Sequence, residues 1–264
     1  MLWQLIRADT VYVLYVFTSD PIIRASRSFG KKTIAQWFGL RKKTIAHWIG
    51  SDVLLALRQA QGDTTYLSKF GAHHNLAVSP LLVSELASMG LAADLVPLLP
   101  YHQASPESGL PERHAVLVYL PKGKELFYGR DLVSALATSH PEIPFRIVSS
   151  DSGEIDQPNV HYYGRVSEEV LSGLYDQTSI LLRLTEHDGM PFMVLEALLK
   201  GKSVLYSFDF PHVVTPRSRS IDDVRAAFDK LVARPPARNV AGTEYVQRNF
   251  NSDRIWESYR GILY

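Results

Sequence analysis

Runs rich in Val, Ile, Leu and Tyr alternate along the chain with segments whose apolar residues recur at helical spacing. The runs fall at 10–17, 44–49, 76–78, 94–98, 115–120, 145–149, 160–163, 179–182 and 203–206. Short apolar runs, each followed by a helical pattern, predict parallel strands covered on both faces and so an α/β architecture. The alternation breaks once, at 97–113, where Pro, Ser and Gly crowd together. Such a stretch predicts a hinge between two domains.

One phrase occurs twice, eleven residues apart: Lys-Lys-Thr-Ile-Ala-Gln-Trp-Phe-Gly from Lys31 and Lys-Lys-Thr-Ile-Ala-His-Trp-Ile-Gly from Lys42. Around the first copy Ile22, Ile23, Phe29, Ile34, Trp37 and Phe38 recur at helical spacing after Pro21, and Gly39 can end the turn, which predicts a helix. In the second copy Ile45, His47 and Ile49 alternate with Ala46 and Trp48, and Gly50-Ser51-Asp52 supplies a turn and a cap before Val53. That pattern predicts a strand running into a helix. Thr, Ile and Trp have middling preferences, so context decides which structure the phrase adopts, and two copies are too few for a stacked array.

Composition narrows the classes. A chain of 264 residues with 46% apolar content can bury one large core or two modest ones, which argues against disorder. No apolar run approaches the ~18 residues of a membrane span. The first residues, with Arg7 and Asp9 and no small-residue cleavage site, lack the form of a signal peptide, so a cytoplasmic home is expected. The absence of cysteine excludes a disulfide framework, thiolate metal sites and a cysteine nucleophile.

The net charge of +1 hides an asymmetry: residues 1–60 carry nine Lys/Arg against Asp9, Asp20 and Asp52. Two of the basic clusters lie beside Phe29, Trp37 and Phe38. Residues 24–43 are therefore a candidate for peripheral contact with an anionic membrane surface, placing the chain at the inner face of the membrane, although a solvated basic face is the commoner meaning of such a composition. No recognition motif accompanies the charge, so nucleic acid is not expected.

The richest chemistry lies between 179 and 206. A strand ends near Arg183, Asp188-Gly189 makes a turn, and Pro191 opens a helix that carries Glu196. The start of such a helix offers backbone N–H groups and positive potential to an anion. Asp188 and Glu196 stand eight residues apart, so one acid can lie at the sugar end of a ligand while the other accepts from hydroxyls elsewhere along it. An Asp-Gly turn and a solvated helix glutamate are the plain structural alternative.

Asp188-Gly189-Met190-Pro191, Glu196-Ala197 and Gly201, with Gly164-Arg165 ahead of Leu174-Tyr175, resemble the acidic-x7-acidic signature of the retaining nucleotide-sugar glycosyltransferases called group 1, in which Glu-Gly-x-Pro-x4-Glu-Ala-x3-Gly recurs. The likeness covers the C-terminal half, where residues 245–264 resemble the family's closing helix. It implies an α/β fold of two Rossmann-like domains of GT-B type: a shortened N-terminal, acceptor-side domain at 1–100, a linker at 101–113, a complete nucleotide-sugar-binding domain at 114–245 and a C-terminal helix at 246–264. The segment from Leu2 resembles the middle of the family's first domain, with much of the acceptor half lacking a counterpart.

The resemblance also implies roles. Glu196 matches the acid that binds the donor's ribose hydroxyls. Asp188, with Gly189, Met190 and Pro191, matches the part that holds the donor hexose and phosphates. Lys122 and Lys124, after the domain's first strand, and Arg165 and Arg183 are candidates to hold the diphosphate, as a cation near a leaving group should. Asp188, Lys124 and Arg165 are thus the catalytic candidates, and Glu196, Gly189, Met190, Pro191, Lys122 and Arg183 the donor-binding ones. The first acid is Asp where Glu is commoner, which shortens its reach. No Asp-x-Asp pair is present, so neither a metal nor another cofactor is expected to be required. The implied reaction moves a sugar, with retention, from a nucleotide diphosphate-sugar to an acceptor that is a glycan, a lipid or a small molecule.

On the acceptor side, Gly50, Ser51 and Asp52 stand at the carboxyl end of a predicted strand, where open sheets bind ligands, and would face an interdomain cleft. His47 joins them as a polar group, although a buried, satisfied histidine is the ordinary meaning of a histidine inside a strand. His73 and His74 do not make a metal pair, because neighbours on a strand point opposite ways. Two other functional readings stay open: a donor-binding subunit of a split glycosyltransferase that needs a partner chain, and a non-catalytic interaction protein with the same fold. An uncovered sheet edge gives a motive for a homo-oligomer.

Overall fold

The computed structural model describes residues 10–14, 16, 43–68, 70, 72, 74–98, 109–150 and 155–263. The helix expected around the first copy of the repeated phrase, the membrane contact expected at 24–43 apart from Lys43, most of the linker and His73 lie outside the described residues. The described residues fall into two compact units: those of Met1–Pro100 with His187–Met190 and Ser252–Tyr264, and those of Tyr101–Glu186 with Pro191–Asn251.

The first unit holds strands β1 (Thr10–Leu14), β2 (Lys43–Trp48), β3 (His74–Ala77) and β4 (Asp94–Leu95), all parallel and in that spatial order. The second copy of the repeated phrase is β2. Ile45, Ala46 and Trp48 are all buried, so the strand is covered on both faces, as continuous rather than alternating apolar character requires. Helix α1 (Ser51–Ala60) follows β2 and α2 (Pro80–Ser88) follows β3. The start of α2 is fixed locally: Ser79 caps it by accepting from the Leu82 N–H at 3.4 Å, and Pro80 occupies the first turn, where its missing N–H costs nothing. Trp48 packs on Phe70, ring centres 5.3 Å apart, over a core that includes Val53, Leu82 and Leu86.

The second unit is a parallel five-stranded sheet in the order β7-β6-β5-β8-β9, built from β5 (Val116–Tyr119), β6 (Phe145–Val148), β7 (Val160–Tyr162), β8 (Ile180–Arg183) and β9 (Ser203–Tyr206). Helices α3 (Arg130–Ser139), α4 (Glu168–Asp176), α5 (Phe192–Leu199), α6 (Ile221–Val232) and α7 (Val240–Asn249) belong to it. On α3, Leu132, Val133, Leu136 and Ala137 are buried in the core, the larger of them worth about 1.5–3 kcal/mol each on burial. Its far end is closed by Asn159, whose amide donates to the carbonyls of Ala137, His140 and Ile143 at 3.0–3.1 Å.

Near the linker, Gly109 is tied to this unit twice. Its N–H donates to Asp176 at 3.2 Å, and its carbonyl accepts from the buried Lys202 ammonium. Burial pushes the Lys202 pKa down to about 8.

The stretch expected as one closing helix is two. Helix α7 ends at Asn249 and α8 runs over Ser252–Leu263. Asn251 caps the break by donating to the carbonyls of Gln247 and Arg248 at 3.3 and 3.2 Å, while Phe250 turns onto Phe210 and Tyr245. Among the described residues no helix is long and apolar enough to cross a membrane.

Candidate functional site

The second sheet reverses direction between β5 and β8. From β5 the chain steps outward to β6 and β7, then returns to lay β8 on the other side of β5. Such a switch point opens a crevice outside the carboxyl ends of the two strands. Tyr119 ends β5 and Arg183 ends β8. The Arg183 guanidinium carbon lies 4.8 Å from the ring centre of Tyr128 and 5.5 Å from that of Tyr119, and the two rings meet edge to face. An arginine laid over two rings keeps its charge and loses freedom, which suits it to hold an anion.

The loops that leave these strands are locked together. Gly129, at φ 85°, starts α3 so close to the other loop that a Cβ would meet the Leu184 carbonyl oxygen at 2.5 Å. The Glu186 N–H donates to the Phe127 carbonyl at 2.9 Å, and Arg219 donates to Leu184 O at 2.9 Å. Lys122 and Lys124 lie on the first loop and Arg165 follows β7, all three exposed. The loops after β6 and β7 are joined in turn: the Ser149 N–H, on a residue at φ 74°, donates to Gly164 O at 2.7 Å, and the Gly164 N–H donates to Ser150 O at 2.9 Å.

Glu196 lies on α5, its carboxylate accepting from the Tyr175 hydroxyl at 3.0 Å. Tyr175 is buried on α4 and also approaches the Met193 carbonyl at 3.2 Å, beside the start of α5. Burial, and then the Glu196 charge, hold the phenol pKa well above its ordinary value, so the hydroxyl stays a neutral donor. The Lys200 ammonium lies 5.8 Å from the centre of the Tyr175 ring and donates to Ser172. Sequence reasoning assigned Glu196 a role, and Tyr175 entered only as part of the family-like pattern, with no role for its hydroxyl.

Asp188, Gly189 and Met190 pack with the first unit. The Gly189 N–H donates to the Asp188 carboxylate at 3.1 Å, and Met190 rests on the first unit's core. His187, which sequence reasoning passed over, is buried and paired to Glu85 of α2 at 2.9 Å. Pro191 caps α5 from extended backbone rather than sitting in its first turn.

The acceptor-side expectations divide. Ser51 is exposed, but Gly50 is buried, its carbonyl accepting from the Leu54 N–H at 3.0 Å, and the Asp52 carboxylate is fully buried and accepts the N–H groups of Val16, Ile49, Gly50 and Val53 at 2.8–3.1 Å. Burial raises its pKa against the opposing pull of those donors. Asp52 therefore ties the segments after β1 and β2 together and does not face a ligand. His47 is also fully buried: it donates from Nε2 to Val96 O at 2.8 Å, and its Nδ1 accepts from Tyr12 and Tyr259. Two phenols and a carbonyl satisfy it, which removes it from the ligand-facing set.

A hollow of about 560 Å³ lined by His114, Ser179, Ser203, Lys230 and Arg234 opens in the second unit beside the amino ends of β8 and β9. Open α/β sheets bind at the opposite ends, so the switch point is the stronger candidate. Among the described residues no three His, Asp or Glu gather as a metal site requires.

No protein-family model matches the sequence, and a search of curated proteins finds no match. Solved structures do match. The lipopolysaccharide outer core galactosyltransferase WaaB aligns with a TM-score of 0.71 at 14% identity, over 99% of this chain and 77% of its own. Anabaena HepE, in complex with UDP and glucose, aligns at 0.69 and 12% identity, over 99% of this chain and 79% of its own. The chain has the GT-B fold. S. aureus TarM, in complex with UDP among other ligands, shares the GT-B fold at 0.64 and 11% identity, over 86% of this chain. This chain spans about half of the TarM chain, 52%.

Proposed function

We propose that the chain is a glycosyltransferase that binds a nucleotide diphosphate-sugar and transfers the sugar to an acceptor with retention and without a required metal. One observation carries the reading: at the switch point of a GT-B sheet, Arg183 lies over Tyr119 and Tyr128, and in the same unit the Glu196 carboxylate is held by a buried tyrosine. Glu196 takes the ribose hydroxyls, and Arg183 with Lys122, Lys124 and Arg165 takes the diphosphate. Asp188, with Gly189, Met190 and Pro191, takes the hexose and adjoining phosphate. Ser51 is the remaining acceptor-side group.

In the reaction the bond from the sugar's C1 to the phosphate oxygen breaks and one from C1 to the acceptor oxygen forms. The acceptor's proton leaves with the diphosphate. The cations lower the barrier by favouring the charge that develops on the leaving group. A second reading is a donor-binding chain completed by a partner.

Calorimetric titration with uridine, guanosine, adenosine and thymidine diphosphate sugars tests the proposal, with Glu196→Ala as control. Binding by the wild type that is lost in the variant supports it. No binding to any of the ligands overturns it. Binding without transfer to any acceptor favours the partner-dependent reading.

A further inference from the structure

Glu196 is a long, half-buried side chain on a helix, and such a carboxylate ordinarily samples several rotamers. Ordering it at the moment of binding costs affinity. Here the ordering is already present. The Tyr175 hydroxyl, rising from the neighbouring helix α4, donates to Glu196 Oε2 at 3.0 Å. The ring that carries this hydroxyl cannot move, being buried with the Lys200 ammonium over its face. The same oxygen lies 3.2 Å from the Met193 carbonyl, so it spans the first turn of α5 as well as the carboxylate. A hydrogen bond to an ionised acceptor is among the stronger ones.

We propose that Tyr175 is a positioning residue for the nucleoside: it holds the Glu196 carboxylate in the one orientation that accepts from the ribose hydroxyls. The inference rests on the donor-binding reading above and adds to it that ribose recognition is built from a tyrosine–glutamate pair rather than from the acid alone. The phenol acts only through the acid. Its removal therefore matters more for UDP, which offers both ribose hydroxyls, than for 2′-deoxy-UDP, which offers only the 3′-hydroxyl, and matters only while Glu196 is present.

The test is calorimetry with UDP and 2′-deoxy-UDP on the wild type, Tyr175→Phe, Glu196→Ala and the double variant. Tyr175→Phe is expected to weaken UDP roughly tenfold, to narrow the preference for UDP over 2′-deoxy-UDP, and to cost nothing further in the Glu196→Ala background. UDP binding unchanged in Tyr175→Phe, equal losses for both nucleotides, or additive losses in the double variant each overturn the inference while leaving the donor-binding reading intact. A wild type that binds neither UDP nor any other nucleoside diphosphate overturns both. Should Tyr175→Phe fail to fold, a structure of the wild type with UDP decides: Tyr175 and ribose must bind Glu196 together, and a carboxylate that leaves Tyr175 to reach the ligand sinks the proposal.

Discussion

The backbone of Gly189 lies directly against that of Gly50. A Cβ on Gly189 would overlap the Ile49 carbonyl oxygen, and one on Gly50 would come within 3.2 Å of the Gly189 N. Gly50 is further restricted by its φ of 141°, which side chains rarely adopt. The segment that carries Asp188 is thus set by backbone contact with the turn after β2, reinforced by the pair of His187 and Glu85.

Gly189→Ala should consequently displace the 187–190 segment or strain the first unit, at a cost of about 1–3 kcal/mol in stability, the usual range for overpacking. Urea unfolding measures it. An alanine variant as stable as the wild type would mean that the segment yields at no cost, and the close approach would lose its meaning.

Arg183→Lys keeps the charge but gives up the flat guanidinium that lies over two rings. UDP affinity should fall roughly tenfold, and Tyr128→Leu, which removes the nearer ring, should cost a few-fold, in line with about 1 kcal/mol for one such contact. Calorimetry with UDP checks both. If lysine serves as well as arginine, the diphosphate role passes to Lys122, Lys124 or Arg165.

Several strands were legible because they are largely buried and therefore written as mostly apolar runs: Phe145–Val148 and Ser203–Tyr206 stand within a residue of their predicted bounds. Glu196 was legible because its neighbours form a pattern in sequence. Its pairing with Tyr175 was not, since that hydroxyl meets an acid 21 residues away and only the packing of α4 beside α5 brings them together. Asp52 misled for a related reason. Gly-Ser-Asp reads as an open turn, but four N–H groups converge on the carboxylate, one of them from Val16 far back in the chain. The close of α7 was hidden as well, because apolar spacing continues through Asn251 and the cap is a single side chain.

His47 gives the first unit a dependence on acid. Burial lowers its pKa to about 4 from an ordinary value near 6.5, since a charged imidazole beside Tyr12, Tyr259 and the Val96 carbonyl would be poorly solvated. A histidine whose folded pKa is depressed is favoured neutral, so its contribution is whole above about pH 6.5 and is lost as pH falls toward 4. The displacement corresponds to about 3 kcal/mol at most. Denaturant unfolding of the wild type against His47→Asn from pH 7 to pH 4 should show the wild type losing stability faster. Parallel curves would mean that His47 titrates alike folded and unfolded.

The two acids should separate by ligand. Glu196→Ala removes a partner proposed for the ribose, which UDP and UDP-glucose both carry, so both should weaken by about 1.5–3 kcal/mol, the range for a lost hydrogen bond to a charged group. Asp188→Ala removes a partner proposed for the hexose, so UDP-glucose should weaken while UDP is held as before. The shorter reach of aspartate makes this the more demanding half of the experiment. It must contact a sugar while one of its oxygens already accepts the Gly189 N–H at 3.1 Å. That bond leaves the carboxylate oriented, and an oriented short acid selects among sugars by where their hydroxyls stand. Replacing glucose by galactose on the same nucleotide should therefore change the wild-type affinity and leave that of Asp188→Ala nearly level; titrations in which both proteins rank the two sugars alike would take Asp188 out of sugar recognition.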